Sequence, residues 1–367
     1  MEADWCRLRP AAIRRWQFPM PHESIFRIFN PLLEDGWDDQ TLLHPRASFF
    51  HCSKWARVLN ATYGHRPHYL GLMQADRAQA LLPILEVNSP LTGRRGVSVP
   101  FSDEGGLLIL DEASGDRLLQ NAMELGRARR WKYLELRGHF PGALRPTPWT
   151  SYFGHEVDLS GGLDALFARF DGSVRRAIHK AVRAGVQAHV LTTLDSTRTF
   201  YRLHCLTRRK HGTPPQSFAF FRNLLEHVIK PGNGFIVIAT HEQQLIAGGV
   251  FVHHGKTAMY KFGASNQPDL HLRGNDLVMW EAIKWYASRG YSWFTMGRTA
   301  PSNEGLRRFK CGFGAREYPI DYFRYDLRRE RFLTGHEEKP EWINRACGLS
   351  PLFVLQIIGR LAYRHIH

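Results

Sequence analysis

A hairpin, helix and strand follow one another twice in this chain, and this repeat limits the possible folds more tightly than composition does. In the first half, the predicted elements are a hairpin in HYLGLMQ and AQALLPILEV, a helix over residues 114–130 and a strand in WKYLELRG. In the second half, they are a hairpin in GFIVIAT and LIAGGVFVHH, a strand in TAMYKFGAS, a helix in NDLVMWEAIKWYASRG and a strand in YSWFTMGR. The order predicts an internal duplication of an α/β (α+β) unit. Short patterns of this kind also recur by chance, so coincidence is the alternative.

The repeat divides the 367 residues into predicted parts, and a chain of this length is comfortable for two domains. Residues 1–45 are rich in Pro, Trp and charge, and they are predicted to be an irregular N-terminal segment. Residues 46–160 and 161–326 are predicted to form the two similar domains. Residues 327–367 are predicted to be a C-terminal tail that contains an amphipathic helix.

Composition indicates which partners the protein could bind and in which compartment it is expected. Lys and Arg number 49 against 34 Asp and Glu, which gives a formal net charge of +15. This excess attracts nucleic acids, nucleotide-sugars or anionic lipid surfaces without choosing between them. The five cysteines are scattered and form no CxxC pair, as expected for reduced thiols in the cytoplasm. The N-terminus lacks the apolar core of a signal peptide and no apolar run is long enough to span a membrane, so we expect neither secretion nor a transmembrane segment.

The segment SVRRAIHKAVRAGV predicts a basic helix over residues 173–185, with Ser173 as the N-cap and Gly185 at the C-terminal cap. Its cations, which share one face or lie beside it, are Arg175, Arg176, Lys180 and Arg183. They predict either a solvated basic face or a surface that binds phosphate.

A second basic cluster lies in LTRRKHGTPP, where Lys210 ends the next predicted helix. The helix dipole favours cations at this position, so part of the cluster needs no ligand. The sequence contains no phosphate-binding P-loop, no GxSxG elbow, no HExxH and no Cys/His set at zinc spacing. We therefore expect no metal and no permanently bound cofactor.

The segment GRTAPSNEGLRRFKCGFGA places Arg298 and Lys310 close to glycines, which let backbone and ligand approach one another. The arrangement predicts a cationic pocket that faces an anion.

Several segments in order carry a family resemblance. NDLVMWEAIKWYASRGYSWFTMGRTAPSNEGLRRFKCGFGAREYPIDYFRY, SVRRAIHKAVRAGV and LHCLTRRKHGTP resemble the FemAB family of peptidyl and aminoacyl transferases and the related BioF-like acetyltransferase domain. SFFHCSKWARVLNATYGHRPHYL and ALLPILEVNSPLTGRRGVSVPFSDEGGLLI resemble FemAB-like proteins associated with exopolysaccharide and exosortase gene systems. The resemblance extends over residues 46–367. It implies two acetyltransferase-like (GNAT-type) domains in tandem.

The resemblance also implies an acyltransferase. Such an enzyme would move an acyl or aminoacyl group from an activated ester or thioester to an amine of a cell-envelope or exopolysaccharide precursor. The donor would be aminoacyl-tRNA or acyl-CoA, and the substrates would be anionic or phosphate-bearing. Aminolysis needs a proton acceptor and a group that stabilises the developing oxyanion.

Two residues are candidates for the catalytic roles. In the family's FK motif the lysine is tied to acyl transfer, and here it is Lys310. A looser alignment makes Glu135 a candidate base, with a structural pairing to Arg137 or Lys132 as the alternative. The residues assigned to substrate binding are Arg175, Arg176, Lys180, Arg183, Lys210, Tyr260, Lys261 and Arg298.

The chain departs from the family at Met296, where many relatives have an aspartate in a DFGR motif, so any role of that carboxylate is in doubt. Two other functions fit the sequence. One is a catalytically silent FemAB-fold protein that binds a glycan or lipid-linked precursor. The other is a nucleic-acid-binding protein. The sequence does not predict an oligomeric state.

The C-terminal segment LSPLFVLQIIGRLAYRHIH, residues 349–367, predicts an amphipathic helix that carries Arg360 and Arg364. It is too short and too charged to span a bilayer, but it could lie in the interface of the cytoplasmic membrane. The alternative is a core helix docked on the second domain. We expect a cytoplasmic protein, located at the inner face of the membrane if the first interpretation holds.

Overall fold

A computed structural model of the chain describes residues 24–142, 145–335 and 347–366. The strands in these residues are β1 (Ile25–Phe29), β2 (Arg66–Gln74), β3 (Arg77–Ser89), β4 (Gly93–Val97), β5 (Leu108–Ile109), β6 (Tyr133–Arg137), β7 (Thr150–Asp158), β8 (Gln187–Leu191), β9 (Gly234–His241), β10 (Gln244–His254), β11 (Thr257–Ser265), β12 (Trp293–Thr295), β13 (Arg316–Asp326) and β14 (Arg331–Leu333). The α-helices are α1 (Trp37–Leu42), α2 (Ser53–Tyr63), α3 (Glu112–Ala128), α4 (Leu163–Ala168), α5 (Gly172–Arg183), α6 (Leu194–Lys210), α7 (Phe218–Leu224), α8 (Gly274–Ala287), α9 (Glu304–Cys311) and α10 (Leu352–Ala362).

The strands form one mixed sheet in the order β1-β2-β3-β4-β6-β13-β7-β12-β11-β10-β9-β8, with β5 added beside β3 and β14 beside β13. The order is nearly symmetric about its centre. Parallel pairing occurs once on each side, between β4 and β6 and between β11 and β12. Each parallel pair is connected through a helix, α3 in the first half and α8 in the second. The predicted class, a mixed α/β fold with two tandem units, is confirmed.

The two halves exchange their last strands. β7 follows the first half in the chain but pairs with β12 of the second half. β13 ends the second half but pairs with β6 of the first. β7 and β13 also pair with each other over seven residue pairs, from Arg316↔Glu156 to Tyr322↔Thr150. The centre of the sheet is therefore made by both halves, and neither unit is complete without the other.

Two predictions differ from the structure: the irregular N-terminal segment and the start of the basic helix. Within the predicted irregular segment 1–45, residues 25–42 include β1 and α1; residues 1–23 lie outside the described residues. β1 was missed because its apolar residues do not alternate cleanly: Ile25 and Ile28 are both exposed. Helix α5 begins at Gly172 with Asp171 as the N-cap, so Ser173 is already within the first turn.

Helix α10 is docked on the second half through one face. Leu355 is fully buried in this contact. A Cβ added to Gly359 would lie 1.9 Å from the carbonyl oxygen of Pro215, so only glycine permits this approach. After α10, a 3-10 turn (Tyr363–His365) reaches the first half, where the guanidinium of Arg95 donates to the carbonyl of His365 at 2.6 Å. The C-terminal segment thus connects the two halves. None of the described helices has the length and apolar character to cross a membrane.

Candidate functional site

The two parallel strand pairs separate at corresponding places. β4 and β6 pair only as far as Val97↔Glu135. β11 and β12 pair as far as Met259↔Thr295, beyond which β11 continues to Ser265 without a partner on that side. The chain that leaves β4 and the chain that leaves β12 both turn into loops near the middle of the sheet. Residues of these two loops contribute to the candidate site.

The loop after β4, residues 98–106, lies across the exchanged strand β13 and reaches β11. The hydroxyl of Tyr322 on β13 donates to the carbonyl of Asp103 at 2.8 Å, and the carbonyl of Ser102 lies 3.2 Å from the same hydroxyl. The ammonium of Lys261 on β11 donates to the carbonyl of Phe101 at 2.7 Å. A loop from the first half is therefore held by the second half.

The same loop is strained. Val99 and Phe101 both have positive φ, 60° and 58°, and this conformation is costly for a β-branched or bulky residue. Arg137 holds the strained turn, because its Nη1 donates to the carbonyls of Ser102 and Val99 at 3.1 and 3.4 Å. Strain of this kind persists only where surrounding contacts enforce it, and it is common at functional sites.

The strained loop presents two consecutive carboxylates, Asp103 and Glu104. Asp103 Oδ1 lies 3.8 Å from Nε of Arg298. The approach depends on Gly297, which has a φ of 66° and whose added Cβ would lie 2.8 Å from Asp103 Oδ2. Glu104 accepts a hydrogen bond from the hydroxyl of Tyr318 at 3.2 Å, and burial raises its pKa above the usual range. A carboxylate with a raised pKa is better suited to accept a proton near neutral pH.

The guanidinium of Arg298 is fixed but remains accessible. Its Nη1 donates to the hydroxyl oxygen of Tyr322 at 2.6 Å. Its Cζ lies 4.3 Å from the ring centre of Tyr152. About a third of the side chain, 34%, is still exposed. Arg298 can therefore bind an external anion without first having to be ordered.

Lys310 lies beneath Arg298 and not in the open part of the site. Its side chain is buried, and Nζ donates to the carbonyls of Gly297 and Arg298 at 3.0 and 3.2 Å. Burial lowers the pKa of Lys310 to about 8. Lys310 and Arg298, which were predicted to lie in one cationic pocket, are therefore neighbours. The ammonium of Lys310 supports the backbone of Arg298.

Glu135 is enclosed by cations. It is 2% exposed, and one oxygen accepts from Arg137 at 2.8 and 3.0 Å while the other accepts from Arg324 at 2.7 and 3.2 Å. A carboxylate bound on both oxygens by guanidinium groups is a poor proton acceptor, because protonation would break both ion pairs. The geometry corresponds to the structural pairing with Arg137.

We call this cluster the junction site: the partly exposed Asp103, Glu104, Tyr152, Arg298 and Tyr318, together with the buried Tyr322. Arg298 was predicted from the sequence, whereas the two carboxylates were not. A signal was present, since PFSDEGG puts two acidic residues between a predicted strand and two glycines. Met296, where the FemAB resemblance implies an aspartate, is buried in the apolar core of the second half, so a carboxylate at this position would need a compensating partner.

The basic helix α5 lies outside the junction site. Val174 and Ile178 bury its apolar stripe with α8 in the core of the second half. The cations Arg175, Arg176, Lys180 and Arg183 are exposed, and they form no ion pair with another described residue. The start of α5 contacts the end of α9, where the amide of Asp171 donates to the carbonyl of Gly312 at 2.8 Å. The start of α5 is thus hydrogen-bonded to the end of α9, the helix that carries Lys310.

The other predicted binding residues occupy separate places. Lys210 is exposed at the end of α6 and lines a cavity of about 350 Å³ together with Arg209 and residues that follow β11. Tyr260 packs against Phe251 in the second core, and burial raises its pKa to about 12. Lys261 lies 4.5 Å from the ring centre of Phe50, and burial lowers its pKa to about 8. Of these three, only Lys261 touches the loop of the junction site.

One set of potential metal ligands lies near Lys310. Ligand atoms of His155, Cys311 and Glu317 lie within 4.8 Å of one another. Both oxygens of Glu317 already accept from Arg307 at 2.9 Å, and these bonds lower the pKa of Glu317 to about 2. The Nε2 of His155 also lies 2.9 Å from Glu317. The cluster is therefore interpreted as a network of ion pairs and hydrogen bonds.

Comparison with known proteins identifies the fold. Residues 168–318 match the family model of the acetyltransferase (GNAT) domain. A crystal structure of FemX is 14% identical, with a TM-score of 0.63, and the match covers 82% of this chain and 96% of FemX. A tandem GNAT protein from the clavulanic acid biosynthesis pathway, solved without AcCoA, is 12% identical, with a TM-score of 0.54 and coverage of 83% and 99%. No curated protein sequence matches the chain.

The match to the acetyltransferase (GNAT) domain therefore lies in the second half of the chain. Over most of its length the chain shares its fold with FemX and with this tandem GNAT protein.

Proposed function

We propose that this protein is an N-acyltransferase that transfers an acyl or aminoacyl group to an amine at the junction site. One observation carries the proposal: a strained loop of the first half brings two carboxylates next to a fixed, accessible arginine of the GNAT half. Aminolysis of an ester or thioester needs both kinds of group, a proton acceptor for the attacking amine and a cation for the carbonyl oxygen.

In this mechanism Glu104 accepts the proton of the attacking amine, since its raised pKa favours proton uptake. As this proton is transferred, the nitrogen forms a bond to the acyl carbon, and the carbonyl oxygen becomes an oxyanion that Arg298 stabilises. Collapse of this intermediate re-forms the carbonyl and breaks the bond to the donor oxygen or sulfur, and the departing alcohol or thiol takes the proton from Glu104. Lys310 acts as a positioning residue, because it holds the carbonyls on both sides of the Gly297–Arg298 peptide. Asp103 orients the guanidinium of Arg298.

The donor is aminoacyl-tRNA or acyl-CoA, and both carry phosphates. The exposed cations of α5, which is attached to α9, are suited to bind them. Lys210 and its cavity offer a second cationic contact. The acceptor is an amine on a cell-envelope or exopolysaccharide precursor, encountered in the cytoplasm. Support for this acceptor comes from the resemblance of the first half to exopolysaccharide-associated proteins.

The test is a transfer assay with labelled aminoacyl-tRNA and labelled acyl-CoA, each with nucleotide-linked and lipid-linked amino sugars. We expect one donor class to give product. Glu104→Gln keeps the shape and the bond from Tyr318 but removes the base, so the transfer rate should fall ~10²–10⁴-fold. Glu124→Gln on the exposed face of α3 is the matched control and should keep the parent rate.

The pH profile adds a second readout. The rate of the parent should fall as pH decreases through the raised pKa of Glu104, because protonated Glu104 cannot accept the amine proton. Glu104→Gln should lack this acidic limb. If Glu104→Gln has the turnover and the pH profile of the parent, Glu104 is not the proton acceptor.

A further inference from the structure

The outer face of α10 carries a cluster of exposed apolar side chains. In the part of the chain that the structure describes, twenty large apolar side chains are exposed, and six of them lie in residues 347–366. These six are Leu349, Phe353, Ile357, Ile358, Leu361 and Ile366. Isolated exposed apolar residues are ordinary on a protein surface, whereas a cluster of them indicates an interaction site.

The exposed residues form one face. Phe353, Ile357 and Leu361 follow one another at intervals of four and are 64%, 55% and 61% exposed. The opposite face is occupied, because Leu355 and Gly359 pack against the second half. The outer face is therefore not a core surface, and the docked orientation of the helix holds it outward.

The charge around this face favours an anionic surface. Residues 347–366 contain no Asp or Glu. Arg360 lies at the edge of the apolar face by helical spacing, and Arg364 follows one turn later; both are exposed. At the other end of the segment Gly348 approaches the backbone of Arg209, beside the exposed Lys210. Cations therefore border both ends of the apolar face.

We propose that the outer face of α10 binds the surface of an anionic lipid bilayer. The three apolar side chains would enter the boundary between headgroups and acyl chains, while the bordering cations contact lipid phosphates. A bilayer explains both features of the face, whereas a second copy of this strongly basic chain, with a net charge of +15, would bring like charges together. The inference does not depend on the proposed transfer reaction.

Docking at this face would also place the bilayer close to the junction site. Tyr363, which follows α10, packs with its ring centre 5.7 Å from that of Phe101 in the strained loop. The hydroxyl of Tyr363 accepts from Arg208 at 2.8 Å and donates to the carbonyl of Pro214 at 2.9 Å. The membrane-facing helix and the loop that carries the carboxylates are thus joined by direct contacts.

The experiment is flotation of the full chain with two kinds of vesicle, phosphatidylcholine alone and phosphatidylcholine mixed with phosphatidylglycerol. Truncation before α10 is unsuitable, because it would remove the Arg95 contact that joins the halves. The test variant is Phe353→Ser/Ile357→Ser/Leu361→Ser. The control changes three exposed apolar residues elsewhere, Leu33→Ser/Leu91→Ser/Val182→Ser. Light scattering without lipid measures the oligomeric state, and thermal unfolding verifies folding.

We expect the parent and the control to float with phosphatidylglycerol vesicles, and the α10 variant to lose at least ~10-fold in partitioning. Arg360→Gln/Arg364→Gln should weaken binding to the anionic vesicles and leave the weak binding to phosphatidylcholine unchanged. Absence of binding by the parent, or equal binding by the parent and a folded α10 variant, would overturn the proposal. A dimeric parent and a monomeric α10 variant would assign the face to self-association instead.

Discussion

At the residue scale, Gly297 has two reasons to be glycine. Its φ is 66°, and an added Cβ would lie 2.8 Å from Asp103 Oδ2. Gly297→Ala should push Asp103 away from Arg298 and reduce the transfer rate ~10²-fold or more, the cost typical of a misplaced catalytic constellation. Gly305→Ala is the control, because an added Cβ there meets nothing within 4 Å and alanine favours helix α9. Equal rates for both variants would show that the Asp103 contact is unimportant.

Lys310 is the second residue for which the structure makes a specific prediction. Replacing it by Met keeps the stem and leaves two carbonyls without their donor. The loop that holds Arg298 should loosen, so kcat should fall ~10²-fold with a smaller change in KM. Arg308→Met, on the exposed side of the same helix, should match the parent. If Lys310→Met shows the parent's kcat, the support that it gives to Arg298 is not needed for turnover.

At the element scale, sequence patterns located the repeated hairpins, helices and strands but not the junction site. Helix α3, for instance, was placed within two residues of its ends because its apolar face repeats at helical spacing. The exchange of β7 and β13 left no local signal, since strand pairing depends on partners far apart in sequence. For Glu104 the acidic pair in PFSDEGG was a local signal, but its environment was not predictable, because burial raises its pKa and its hydrogen-bond partner Tyr318 lies more than 200 residues away.

The prediction for a single element concerns the cations of the basic helix α5. Arg176→Gln/Lys180→Gln/Arg183→Gln removes three exposed charges that no described side chain pairs. The KM for the phosphate-bearing donor should rise, and its dependence on salt should become shallower, because fewer counterions are exchanged on binding. The melting temperature should stay close to that of the parent. Arg127→Gln/Arg198→Gln/Arg202→Gln removes exposed charge elsewhere and serves as the control. If the KM and its salt dependence match those of this control, the basic face of α5 is a solvated surface that does not bind the donor.

At the scale of the whole molecule, buried histidines lie along the contact between the halves. The Nε2 of His254 lies 2.8 Å from the hydroxyl of Thr41, which joins the end of β10 to α1. Nearby, His51 is held as a neutral ring: Nδ1 accepts from the amide of Ser48 at 3.1 Å, and Nε2 lies 3.1 Å from the carbonyl of Gly106. Protonation of Nδ1 would replace that bond by a repulsion between two donors. The packing around His51 should therefore depend on pH.

Burial lowers the pKa of His51 and His253 to about 4 and that of His204 to about 3, from an ordinary value of 6.5. These folded-state values lie below those of the unfolded chain, so below pH 6.5 the unfolded state binds more protons. The stability that these histidines contribute is complete above pH 6.5 and is lost as pH falls toward 4. Each histidine should add about 1.4 kcal/mol per pH unit to the slope of the unfolding free energy in this range. Urea unfolding from pH 7.5 to 5 measures the slope, and His189→Gln, an exposed position, should leave it unchanged. A flat profile between pH 6.5 and 5 would contradict the neutral, buried state of these three rings.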